Sequence, residues 1–301
     1  MDRKTLGKKI CVMTGLKFSN SIIELIQRRY SCRKYKIELI EEKTKNNLIE
    51  FLQGDHTSPI KGEARFELIE MSELDPREKK RLGTYGFIQG AQNFIVGATK
   101  KSQFDLENFG YIMEEVILYA TDLGLGTCWV GGTLKRSKFA VQINIADNEI
   151  VPAITPIGYA AESQSKIDKL ARWAARSKKR HQWEKLFFEG DCRHPLSRSR
   201  ANQFERPLEM IRLAPSASNR QPWRIIKEQD AHIYHFFIIK NRSWYSRFPS
   251  WPDFPRIDLG IAICHFNLTI QELGLEGEWQ FIQSDVIIPP QLQYFISWIC
   301  K

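Results

Sequence analysis

Two stretches of the chain repeat one pattern at one distance. In "FDLENFGYIMEEVILYATDLGLGTCWVGG" and "FPRIDLGIAICHFNLTIQELGLEGEWQF", Gly110 and Gly260, Gly124 and Gly274, and Trp129 and Trp279 each lie 150 positions apart. In the first copy Phe109, Ile112, Val116, Tyr119, Ala120 and Leu123 make one apolar stripe, the mark of a long core helix that ends at Gly124. Helices ended by glycine before a strand are common, so one coincidence would mean little; three at a single offset point to an internal duplication. A chain of 301 residues is long enough to bury a core in two such units. A unit that ordinarily pairs with itself, once fused head to tail, makes a single chain its own dimer. The expected divisions are an N-terminal arm over 1–18, a first half over 19–187, a polar, basic linker over 188–202 that contains Pro195, and a second half over 203–301.

Helical and strand patterns alternate along the chain. "SNSIIELIQRRYS" offers Ser19, Asn20 or Ser21 as an N-cap before Ile22, Ile23, Leu25 and Ile26. A second helix is expected from about Glu38 to Leu52, stopping at Gly54, and strands at "RFELIEM" and "NFIVGAT". Lys and Arg outnumber Asp and Glu by 44 to 35, and the charge of +9 favours anionic ligands without requiring nucleic acid. The basic run "RWAARSKKRH" reads most simply as a solvated helix face. Six cysteines without a CxxC pair, and no apolar leader, fit a reduced cytoplasm. Apolar runs such as "VILYA" are far too short to span a bilayer. His232 and His235 point to opposite faces of a strand, and Cys192 and His194 stand alone, so no metal site is expected. Cys32 and Cys128 read as buried small residues. Glu114 and Glu115, adjacent on a helix, diverge and do not form an acid–base pair.

Three motifs each admit a structural and a functional reading. In "QRRYSCRKY", Arg29, Ser31 and Arg33 alternate, so on an extended segment two guanidinium forks and a hydroxyl point one way, as a phosphate dianion requires; a solvated basic turn is the simpler use. In "GLGTCWVGG", Gly131 and Gly132 follow Trp129 and Val130 and remove side chains where something flat could approach the backbone, or else they mark a bulge. In "LAPSASNRQPWR", Pro215 and Pro222 stiffen a loop in which Ser216, Ser218 and Asn219 favour local hydrogen bonds, and Trp223 anchors it as a strand begins.

Together the three motifs resemble the FMN-dependent nitroreductase family, with its Arg-x-Ser-x-Arg element, Pro-Ser-x-x-Asn-x-Gln-Pro-Trp loop and Gly-Leu-Gly-x-Cys-Trp-x-Gly-Gly turn. Ordinary members keep the Pro-Ser loop near the first helix and form homodimers with flavin between subunits. Here the loop sits in the second half, so the chain resembles the branch in which two family domains are fused into an intramolecular pseudo-dimer. The resemblance implies an α+β nitroreductase-like fold, each half a mostly antiparallel sheet flanked by helices. It implies that Arg29, Ser31 and Arg33 hold the FMN phosphate and ribityl chain, joined by a late basic residue, Arg180 in preference to Lys179. It places Pro215, Ser216, Ala217 and Asn219 against the same flavin from the second half, Trp129 and Val130 beside the ring, and Gly131 and Gly132 as backbone donors toward its N5 edge. Tyr30 departs from the pattern, since many members have a second arginine there.

The motifs are not duplicated with the halves. "GLEGEW" replaces "GLGTCW" in the second copy without a Gly-Gly, and "GDHTSPIKG" stands in the first where a Pro-Ser loop would fall. One FMN per chain is therefore expected, in a monomer that engages neither nucleic acid nor membrane. The activity implied by the resemblance is transfer of electrons from NADH or NADPH to a small electrophile such as a nitroaromatic or quinone. A non-catalytic flavin-binding or redox-sensor protein would use the same pocket. No side-chain catalyst is expected, because the flavin carries the chemistry.

Overall fold

Strand propensity and helix stops place the same succession of elements in each half of the computed structural model. It describes residues 18–71, 88–131, 136–161, 179–229, 231–240, 252–282 and 286–301. Gly132, nearly all of the expected arm, and most of the "RWAARSKKRH" run lie outside the described residues. After helices α1 (Ile22–Arg28) and α2 (Glu42–Gln53), the first half runs β1 (Ala64–Glu70), β2 (Asn93–Lys100), α3 (Asp105–Asp122), β3 (Gly126–Thr127), α4 (Arg136–Gln142), β4 (Glu149–Ile150) and β5 (Ile154–Gly158). Strands β6 (Phe187–Glu189) and β7 (Asp191–Pro195) and helices α5 (Arg198–Ala201) and α6 (Glu205–Leu213) follow. The second half then runs β8 (Trp223–Lys227), β9 (Ile233–Ile239), α7 (Phe254–Glu272), β10 (Gly277–Gln280) and β11 (Leu292–Cys300).

The first sheet is ordered β1-β2-β5-β3, with β4 also on β2; the second contains β8-β9-β11-β10 in the corresponding order, extended on its β8 side by β6 and β7. Strand pairing is antiparallel except between β6 and β8. The fold is α+β, as the family resemblance implies. Residues 188–202, expected as a linker, contribute to β6, β7 and α5 on the second sheet.

Helix α1 starts after Ser21, whose Oγ accepts the Glu24 N–H at 3.4 Å. The two helix-end carboxylates related by the 150-residue shift both hold this start. Asp122 accepts from the Ser19 and Asn20 N–H groups at 2.5 and 3.1 Å. Glu272 accepts from the Ser21 hydroxyl at 2.6 Å and from the Ile22 N–H. Helix α2 begins at Glu42, later than the periodicity suggests, because residues 34–36 are committed elsewhere. Lys36 N–H donates to Tyr159 C=O (2.9 Å) and Ala161 N–H to Lys34 C=O (3.0 Å), which keeps that stretch extended.

Helices α3 and α7 cross at the centre. Both are buried along most of their length, and α7 is apolar on nearly all sides, as a helix enclosed by protein must be. The crossing depends on Gly110 and Gly260. A Cβ at Gly110 would lie 2.2 Å from the Ile257 carbonyl oxygen, and one at Gly260 would lie 2.0 Å from that of Glu107. Each contact is the other displaced by 150 residues, the exchange that defines an isologous interface. Arg256 adds a bidentate grip across it, with Nε and Nη2 donating to the two Glu107 oxygens at 2.8 and 2.6 Å. One apolar core joins the halves, drawing Tyr111, Met113 and Ile117 from α3 and Leu259, Ile263 and Phe266 from α7.

The helix stops match as well. Gly124 (φ 78°) and Gly274 (φ 63°) take left-handed conformations, and the Leu125 and Leu275 N–H groups close back on Ala120 and Ile270 at 2.9 Å. No atom stands within 4 Å of a Cβ added at either glycine. Gly124→Ala and Gly274→Ala should therefore each cost about 1 kcal/mol, the conformational penalty alone. Denaturant midpoints of the two variants should fall together.

Candidate functional site

The end of α1 is where the first motif acquires its shape. Arg29 leaves the helix with extended backbone (ψ 131°), and the chain then runs beside β3, Ser31 bridging Thr127 and Cys32 N–H donating to Thr127 C=O at 2.7 Å. The Arg29 guanidinium turns inward and is only 5% exposed. Its Nε lies 3.4 Å from Oε1 of Glu114, an ionic contact without a hydrogen bond. Glu114 is fully buried on α3; its Oε2 accepts the Trp129 indole N–H at 2.7 Å and its Oε1 lies 2.9 Å from His265 Nε2 on α7. One carboxylate thus ties the first motif, the tryptophan of the second and a histidine of the other half.

The third motif is gripped from the first half. Arg180 Nε and Nη2 donate to the Leu213 carbonyl at 3.3 and 2.9 Å, and Nη1 donates to Asn219 Oδ1. Asn219 Nδ2 returns a bond to Lys179 C=O at 2.8 Å, and His181 N–H donates to Gln221 Oε1 at 2.8 Å. Within the loop, Gln221 N–H donates to Ser216 Oγ (2.9 Å), and Ala217 N–H donates to Asp258 on α7 (2.9 Å). These contacts hold a backbone that sequence alone does not favour: Ser218 (φ 51°), Asn219 (φ 55°) and Gln221 (φ 49°) all adopt left-handed conformations. Such residues persist where surroundings over-determine them, and they cluster at ligand sites. Pro215 is buried and Trp223, opening β8, is fully enclosed. Trp223→Ala should cost about 3–5 kcal/mol of stability through the cavity it leaves. A chemical-denaturation curve checks this.

The electrostatics are unbalanced. Burial first, then the nearby positive charges of Arg29 and Arg212, push the Arg180 guanidinium down to about 10, with Glu114 opposing the shift. The part-buried Arg180 guanidinium thus bears its charge in the repulsive field of Arg29 and Arg212. An anion received there would relieve that repulsion, and a fork-shaped donor set suits phosphate.

A family model described as "Putative TM nitroreductase" matches residues 21–270. The chain belongs to that family. Among solved structures, "a putative nitroreductase" from Thermotoga maritima aligns over 96% of this chain and 98% of its own length, at 19% identity and TM-score 0.54. A nitroreductase family protein of Clostridium novyi shares 22% identity over 51% of this chain and 91% of its own, with TM-score 0.39. A Bacteroides fragilis nitroreductase solved with bound FMN shares 16% identity over 49% of this chain and 92% of its own, with TM-score 0.35. No curated protein matches the chain.

The remaining motif positions are held differently. Val130 exchanges both backbone hydrogen bonds with Ile154 at 3.0 Å, so its N–H is committed to the sheet. The flat group against Gly131 is the Phe254 ring of α7: an added Cβ would lie 2.5 Å from Cε1. Arg33 continues the extended stretch, its carbonyl accepting the Gln89 N–H at 2.9 Å. Glu114, His265 and Asp258 escape a reading by motif. Glu114 and Glu115 do diverge, Glu115 toward His56 at 3.0 Å, yet each finds a partner from another element. Two carboxylates inside an otherwise apolar helix were the available signal.

The 150-residue shift also locates the second, related position. It carries Gly131 to Phe281 and Phe254 to Phe104, and these two rings stack at 5.1 Å and 10°. It carries Glu114 to Cys264 and Asp258 to Asn108, whose Nδ2 is buried without a hydrogen bond. At that position a ring therefore stands where the first copy keeps a glycine, and a thiol where it keeps a carboxylate.

Proposed function

We propose that this protein is a flavin oxidoreductase that clasps one FMN across the seam of its two halves and passes electrons from NADH or NADPH to a small electrophile such as a nitroaromatic or a quinone. The observation behind this reading is that the Arg29 side chain at the end of α1 is only 5% exposed and that Arg180, which grips the Pro-Ser loop, lies within its electrostatic field. Membership of a nitroreductase family supports it. The residues fit the cofactor: Arg29 Nε is buried with no hydrogen-bond partner, and Arg180, in the field of Arg29, offers a second guanidinium. Arg29, Ser31, Arg33 and Arg180 would hold the phosphate and ribityl chain. Pro215, Ser216, Ala217 and Asn219 would close the pocket from the second half, with Trp129 beside the ring and the Gly131–Gly132 backbone along its edge. Bound FMN supplies the electron transfer; the chain supplies orientation and a positive field.

The single chain acts as its own dimer in this reading, in a reducing, aqueous compartment. Among the described residues no helix is long and apolar enough to cross a membrane. The test is steady-state oxidation of NADH and NADPH by the FMN-loaded protein, with a quinone or nitroaromatic as acceptor. Turnover dependent on added FMN is expected. A flavin-loaded protein that neither nucleotide reduces would instead be a flavin-binding or sensor protein.

A further inference from the structure

The hydrogen bonds around His265 fix where its protons lie. Nδ1 stands 2.9 Å from the Met210 carbonyl oxygen, which can only accept, so Nδ1 bears hydrogen. Nε2 stands 2.9 Å from Glu114 Oε1, and both groups are fully buried. With no proton between them, an imidazole lone pair would face a carboxylate lone pair at hydrogen-bond distance. With two, one acid hydrogen would point at the Arg29 or Trp129 N–H groups that already surround the carboxylate. One proton satisfies the geometry, and wherever it resides the pair bears no net charge.

We propose that Glu114 and His265 are positioning residues that share one buried proton, so that Glu114 orients Arg29 and Trp129 without cancelling the positive charge that Arg29 and Arg180 offer to a dianionic phosphate. This rests on the reading of the cleft as an FMN site. An unpartnered Glu114 carboxylate at 3.4 Å would act as a resident anion on Arg29 and compete with the phosphate for it. Among the described residues, the titratable groups next to the pair in the chain, Cys264 and Glu115, supply no free anion, and burial pushes the Asp258 carboxyl well up. Burial pushes the Cys264 thiol well up, keeping it neutral. Glu115 is engaged by His56, and Glu209 by Arg198 and Arg212. The second copy has no such device, since the shift places Cys264 and Glu115 where this pair would fall.

The test compares FMN with riboflavin, which lacks the phosphate, by flavin-fluorescence titration of the apoprotein. His265→Gln should weaken FMN by about tenfold or more, the scale of one added charge at short range in a protein, and leave riboflavin unchanged. The double variant His265→Gln, Glu114→Gln removes the exposed negative charge and should restore FMN affinity. Equal losses for both flavins, no loss for either, or a double variant as weak as the single would overturn the proposal. A second readout needs no flavin: nitrogen and proton spectra of histidine-labelled wild-type apoprotein should show His265 protonated on Nδ1, with a strongly deshielded proton on the Nε2 side that Glu114→Gln removes. A bare Nδ1 would refute the shared proton. Failure of the wild type to bind FMN would count against the flavin reading, and the ring spectrum would still judge the pair.

Discussion

Arg180→Ala should weaken FMN by roughly 30- to 150-fold, about 2–3 kcal/mol, the worth of a charge-assisted hydrogen bond to a charged ligand. The guanidinium has two tasks, and the substitution removes both. It subtracts a part-buried cation, and it leaves the Leu213 carbonyl and the Asn219 side chain without the donors that fix the Pro-Ser loop. Arg180→Lys keeps the charge but not the fork, so its affinity should fall between the two. Fluorescence titration measures the binding loss, and limited proteolysis across 213–222 should report the loosened loop. Arg29→Ala, by contrast, should weaken FMN while leaving that loop protected, because Arg29 holds Glu114 rather than the loop.

Gly260→Ala should be the most damaging conservative substitution at the join of the halves. Its methyl group would fall 2.0 Å from the Glu107 carbonyl oxygen, which is helix backbone and cannot rotate aside. Separating α3 from α7 to admit it should cost about 3 kcal/mol or more, the upper range of overpacking penalties. Gly110→Ala meets the mirror contact, 2.2 Å from Ile257, and should cost a similar amount. The two act on one crossing, so the double variant should lose less than the sum. Denaturant midpoints give all three values, and Gly124→Ala provides the control in which no neighbour is touched. Unequal effects at Gly110 and Gly260 would argue against a symmetric crossing.

The duplication was legible because it rests on backbone demands. Two helices come this close only at glycine, and glycine makes a left-handed helix stop at least cost, so Gly110, Gly124, Gly260 and Gly274 show one spacing while the side chains between them differ. Arg180 and Asn219 enter the reading only through the resemblance, and their grip on one another does not enter it at all, for it joins residues 39 apart through a fold no local pattern encodes. The left-handed Ser218, Asn219 and Gln221 were hidden for the same reason: Lys179, His181 and Asp258 hold them from other segments. Helix α2 was placed too early because propensity does not register that residues 34–36 are paired with 159–161. Gly131 faces the Phe254 ring in the structure, a neighbour from α7 that the glycine pair alone does not name.

Stoichiometric titration of the apoprotein with FMN, followed by flavin absorbance and calorimetry, judges the account most directly. One FMN per chain is expected, with affinity reduced by Arg29→Ala and by Arg180→Ala and with riboflavin indifferent to Arg29→Ala. A ratio near two, no uptake at all, or wild-type affinity in both arginine variants would contradict a single anion-holding cleft between the halves.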